Sequence, residues 1–119
     1  MSIASHGTVQ RSAKTMDLLR MMLEDEYAVQ TARLTQLTMY AQMPRRAGYD
    51  QQTLDALTAS TRQRIADTAH ALKRMSEGTY GVCADCHMPI PLGRLHNVPE
   101  ATHCALCERG HGCDRWECP

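Results

Sequence analysis

Cys83-Ala84-Asp85-Cys86 and Cys104-Ala105-Leu106-Cys107 form two C-x2-C pairs with seventeen residues between them. Two residues between sulfurs let a tight turn present both thiolates to one ion. Two such turns complete a tetrahedral site with bonds of about 2.3 Å. Four soft thiolates without evident redox surroundings predict one zinc ion, held by Cys83, Cys86, Cys104 and Cys107. With no open coordination position, that ion is structural. Such binding is worth on the order of 10–16 kcal/mol in small finger peptides, far more than so short a lobe can bury. His103, beside Cys104, is an alternative ligand, and His87, His96 and His111 lie around the same pairs.

Other reactive residues carry less. Cys113 and Cys118, with Trp116, follow at no ordinary finger spacing. Two readings stay open for them: a redox pair or second, weaker metal site with His111, and two incidental thiols in a loose tail. Glu24, Asp25 and Glu26 are consecutive, so on a helix they point in different directions and make a solvated face. No Ser-His-Asp arrangement or glycine-rich phosphate loop is present, and the chain is expected not to be an enzyme.

The elements that hold the cysteines must be built from little. Of 119 residues, eighteen are Leu, Ile or Val, with no Phe, four Tyr and one Trp. Thirteen Lys and Arg balance thirteen Asp and Glu. That balance argues against charge-driven disorder and against a strongly basic, freestanding DNA binder, so no direct sequence-specific DNA binding is expected. No apolar run approaches the ~20 residues of a membrane span. Met1 to Gln10 lacks the profile of a secretory signal. The six cysteines therefore read as cytosolic thiols, and metal ligation outranks disulfides there.

All the cysteines lie from Cys83 onward. Before them, Thr8–Met43 and Thr53–Glu77 are free of Pro and Gly, while Pro44 and Gly48 interrupt between. Apolar spacing predicts two helices with facing seams. One reads Met16, Leu19, Leu23, Tyr27, Gln30, Leu34, Leu37 and Ala41; the other reads Leu54, Leu57, Thr61, Ile65, Thr68, Leu72 and Met75. Folded back antiparallel, Ala41 meets Leu54, Leu37 meets Leu57, Tyr27 meets Thr68, and Leu19 meets Met75. Every pair centres the turn near Ala47 and Gly48, where the breakers sit independently. The predicted fold is mainly α: a long antiparallel two-helix coiled-coil hairpin followed by a small four-Cys zinc-finger module. A three-helix bundle, or a dimer through Met16, Met21 and Met22, is the competing arrangement. Expected divisions are a flexible arm at 1–11, the hairpin at 12–78 with its tip near 44–50, the finger at 79–108, and a Cys-containing tail at 109–119.

Ala71 to Met75, Gly78-Thr79-Tyr80-Gly81-Val82-Cys83-Ala84-Asp85-Cys86, Ile90, Arg94-Leu95, Pro99, Ala101 and Cys104 to Cys107 resemble the DksA/TraR zinc-finger family. The resemblance implies a bacterial transcription factor that binds RNA polymerase rather than DNA, inserting its hairpin tip into the secondary channel. It also implies a helical hairpin ahead of a four-Cys module. Departures fall at identifiable places. Typical members carry paired acids at the tip, whereas Met43-Pro44-Arg45-Arg46-Ala47-Gly48-Tyr49-Asp50 has two bases and one acid. Arg45, Arg46, Tyr49 and Asp50 are the candidate polymerase contacts. His87 stands where the family has Gly, a residue suited to positive φ. Glu108-Arg109-Gly110-His111-Gly112 is a poor helix former where relatives often continue a helix. Ser60, Gln63, Arg64, Asp67 and Glu108 include one base, so guanosine tetraphosphate is not an expected ligand. A second functional class is a zinc-ribbon adaptor that keeps the fold but binds another protein or another polymerase surface.

Overall fold

The computed structural model describes residues 12–110. The expected readings for 1–11, and for His111, Cys113, Trp116 and Cys118, lie outside the described residues. Helix α1 runs Ala13–Gln42, a 3-10 turn Arg46–Gly48 reverses the chain, and α2 runs Gln51–Glu77. At 1.5 Å per residue each arm is about 40–45 Å long. The two pack as an antiparallel hairpin, and the described molecule measures 62 × 32 × 20 Å. Two shorter helices, α3 (Leu92–Asn97) and α4 (Ala105–Glu108), follow. Among the described residues, no helix is long and apolar enough to cross a membrane.

Each long helix is bounded by local chemistry. Ser12 caps α1, its hydroxyl accepting from the Thr15 backbone N–H at 3.1 Å. Asp50 does the same for α2 through Thr53 N–H at 2.7 Å. Helix α2 stops at Gly78, where φ is +81° and its N–H reaches the carbonyls of Arg74 and Met75. At the tip, Arg46, Ala47 and Gly48 all take positive φ, at 47°, 52° and 89°. Gly48 adopts that region freely, but Arg46 and Ala47 bear a steric cost of roughly 1–2 kcal/mol each.

Along the seam, Leu54, Thr61, Thr68 and Met75 are buried on α2 in steps of seven. A seven-residue repeat belongs to helices wound around each other with left-handed twist. Leu19, Leu23 and Leu37 are the buried residues of α1. Tyr27 and Ala41, expected on the seam, are exposed instead. Steps taken at the straight-helix period overran the wound period, and the seam advances from Leu23 to Glu26. At the tip end Leu37 and Ala41 line a shallow cavity with Asp55, Thr58 and Ala59 of α2. Thr61 and Thr68 satisfy their buried hydroxyls within α2, donating to the carbonyls of Leu57 and Arg64 at 2.7 Å each. The main core lies at the opposite end. There Leu19, Leu23, Ala71 and Met75 close over Tyr80, Ile90, Leu95 and the cysteine lobe.

Candidate metal centre

Past Gly78 the chain makes a tight return that carries the first knuckle. Val82 bridges Pro89, Cys83 N–H donates to Met88 O at 2.9 Å, and Ile90 N–H donates to Gly81 O at 2.8 Å. His87 closes the knuckle by donating its N–H to Cys83 O at 3.0 Å, with φ at +62°. The backbone thus holds the left-handed conformation that glycine would take more easily. The second knuckle begins at Cys104 and continues into α4, which carries Cys107. Ala84 N–H donates to Thr102 O at 2.8 Å and ties the two knuckles together.

The sulfurs of Cys83, Cys86, Cys104 and Cys107 all lie within 4.8 Å of one another, and Cys86 and Cys104 approach to 4.0 Å. A tetrahedron with zinc–sulfur bonds of 2.3 Å has edges of about 3.8 Å, so four thiolates at this spacing fit one zinc ion. Three of the four are buried and Cys86 is half-buried, which leaves no room for a substrate in the coordination sphere. Burial pushes the Cys83 thiol up, but the backbone N–H groups of Cys86, Cys104 and Asp85 outweigh it and bring the thiol to about 6. Burial first, then the thiols of Cys104, Cys83 and Cys86, push Cys107 up. Burial likewise raises Cys86. Crowded thiols that cannot all ionise beside one another are a set that a divalent cation relieves.

His103 is not among the four. Its Nδ1 pairs with Thr102 Oγ1 at 2.8 Å and its Nε2 lies 3.6 Å from Asp85 Oδ2. His87 and His96 are exposed on the lobe surface. The finger is a C4 site, with His103 bracing it from outside.

Two supports of the lobe have only weak sequence signals. Arg74 is buried near the end of α2, and its Nη2 donates to Thr79 O at 2.9 Å and to Val82 O. It clasps the return strand of the finger onto the hairpin. Arg94 in α3 donates from Nε to His103 O at 3.0 Å, and Leu95 beside it is fully buried. Helix α3 forms although Pro91 and Gly93 give its stretch a loop-like composition. The poor helical character read after Cys107 agrees with α4 ending at Glu108. A cavity of about 680 Å³ lies where α2 meets the finger, lined by Asp67, His70, Arg74, His87 and His103.

The candidate tip residues gather at the far end of the hairpin. Asp50 is committed to capping α2, and the Thr53 backbone N–H it accepts holds its carboxyl below the usual range. Tyr49 stacks on Tyr40 with ring centroids 6.0 Å apart and planes 25° from parallel. Arg45 is exposed and Arg46 half-buried.

Residues 78–111 match the model of the prokaryotic dksA/traR C4-type zinc finger. An uncharacterized protein of Aquifex aeolicus is 34% identical over 59 residues, half of this chain and 41% of that protein. Uncharacterized protein YteA of Bacillus subtilis is 37% identical over 54 residues, 45% of this chain and 23% of its own length. The matched stretch thus spans less than half of either curated relative. Among solved structures, transcription factor DksA2 from Pseudomonas aeruginosa superposes with a TM-score of 0.68 at 23% identity, covering 83% of this chain and 84% of that one.

Proposed function

We propose that this chain, with a dksA/traR-type zinc finger and a fold that superposes on DksA2, is a DksA/TraR-type transcription regulator that binds RNA polymerase. The single observation that carries the reading is the joining of a dksA/traR-type finger to a hairpin that superposes on DksA2 over most of both chains. Residues 79–108 form the base in this reading, 12–78 the arm, and the tip near 44–50 enters the secondary channel. Zinc holds the base and performs no chemistry. The protein works in the cytoplasm by contact, without catalysis and without reading DNA sequence. Guanosine tetraphosphate is not proposed as a ligand, since Asp67 and Glu108 stand where bases would be needed.

The test is co-purification of the zinc-loaded chain with core RNA polymerase, followed by photo-crosslinking from position 49. Crosslinks to subunits lining the secondary channel are expected. Retention on the polymerase with crosslinks elsewhere would favour a contact made at another surface. Failure to co-purify would favour the adaptor reading. One observation lends the second class weight: the lone tip acid, Asp50, is occupied as a helix cap, so the tip carries no free carboxylate to place near catalytic magnesium.

A further inference from the structure

Arg45 and Arg46 sit on a turn closed by backbone hydrogen bonds. Arg46 N–H donates to Met43 O at 3.1 Å, Gly48 N–H to Arg45 O at 2.9 Å, and Tyr49 N–H to Arg46 O at 2.9 Å. The Tyr40–Tyr49 stack closes the neck of this turn where the two helices part. Among the described residues neither arginine forms an ion pair within 4.0 Å, although Arg46 is near enough to help lower the Asp50 carboxyl. Asp50, the nearest acid in sequence, spends its carboxylate on the α2 cap. In the same turn Met43 and Tyr49 are 43% and 39% exposed, and Tyr49, one face of which stacks on Tyr40, offers apolar surface.

Two always-charged, donor-only forks in one turn with a part-exposed aromatic ring match a ligand with oxyanions and π faces together. Single-stranded nucleic acid has both, a phosphate and a base at every nucleotide. A protein carboxylate has the charge without the ring. We propose that the hairpin tip binds the phosphates of a nucleic-acid strand through Arg45 and Arg46, with Tyr49 as a stacking surface. A nucleoside triphosphate shares the same chemistry. The proposal deepens the reading of the tip as the working end of the hairpin, but its test contains no polymerase, so the two fail separately.

The test titrates the full zinc-loaded chain into a fluorescein-labelled single-stranded RNA oligonucleotide at low salt, following anisotropy, with inorganic tripolyphosphate as competitor. Arg45→Ala/Arg46→Ala is expected to weaken RNA binding by roughly tenfold or more, as charge-assisted contacts require. The slope of log affinity against log salt should fall by about 0.7 for each arginine removed. Tyr49→Leu should weaken RNA binding while leaving competition by tripolyphosphate in place. Displacement by tripolyphosphate near equal concentration assigns the site to a terminal triphosphate, and weak displacement assigns it to the strand. No RNA binding by the parent chain, or equal affinity and salt slope in the double variant with unchanged helicity, overturns the proposal.

Discussion

Glu26 of α1 and Arg64 of α2 form the one ion pair that crosses the hairpin among the described residues, Oε2 to Nε at 3.4 Å. Gln30 donates to the same carboxylate oxygen at 3.1 Å. The middle of the stem is therefore joined by polar groups where an ordinary seam would have leucines. Their side chains remain 30% and 55% exposed, so water screens the pair. A double-mutant cycle of Glu26→Ala and Arg64→Ala should give a coupling of about 0.2–1 kcal/mol, shrinking in high salt. A coupling that ignores salt would mean that the pair is drier than its exposure indicates.

Leu23 and Leu72 are not equal partners. Leu23 is fully buried in the basal core, while Leu72 is only partly buried against it. Leu23→Ala should cost roughly 2–5 kcal/mol in chemical denaturation, and Leu72→Ala clearly less. A larger loss at Leu72 would require α2 to be turned relative to α1.

The two knuckles and the hairpin were legible because each has a short-range cause. C-x2-C spacing is set by one turn, and Pro44 with Gly48 marks a reversal wherever the helices pack. The contents of the seam were less legible. Glu26 looks like surface beside Glu24 and Asp25, and only a partner 38 positions away, Arg64, explains its place. Tyr27 was misplaced because one step of four instead of three turns a residue out of a wound pair. Arg74 was read within the family resemblance but given no role, since its carbonyl partners exist only once the finger folds back. His103 sat next to a ligand in sequence, yet Thr102 and Asp85 already occupied its two nitrogens.

Changing any one of Cys83, Cys86, Cys104 or Cys107 to Ser should abolish stoichiometric zinc and unfold the lobe, while circular dichroism keeps most of the hairpin signal. Acid should act in the same direction. Cys83 has a lowered folded value near 6. Its contribution is complete above the unfolded thiol range and is lost as pH falls through about 6. With zinc bound, protons compete with the metal for all four thiolates, so zinc release followed with a chromogenic chelator should increase as pH falls.

Arg74→Lys should destabilise the finger more than the stem. Both bonds leave the one nitrogen Nη2, and a lysine keeps the charge but its shorter side chain places the ammonium short of that position. Losing buried, charge-assisted bonds costs about 1.5–3 kcal/mol. Hydrogen exchange is expected to accelerate at residues 79–83 before it changes in α1.

His87→Gly should stabilise the zinc-bound protein, because +62° is a φ that glycine adopts without the Cβ penalty. The expected gain is up to about 1 kcal/mol, read as a rise in Tm with unchanged zinc content. A fall in Tm would show that the imidazole makes a contact worth more than the strain.

The uninterrupted length of α1 has a geometric consequence for whatever the protein meets. Thirty residues without Pro or Gly make a rod of about 45 Å, and its basal anchorage and its arginine-bearing end cannot be drawn together by bending at a hinge. A partner gripped at one end is probed at a set depth by the other. If the tip enters a partner's cavity as proposed, the hairpin acts as a depth gauge: a cavity too shallow stops it at the tip, and one too deep leaves the arginines short of the far wall.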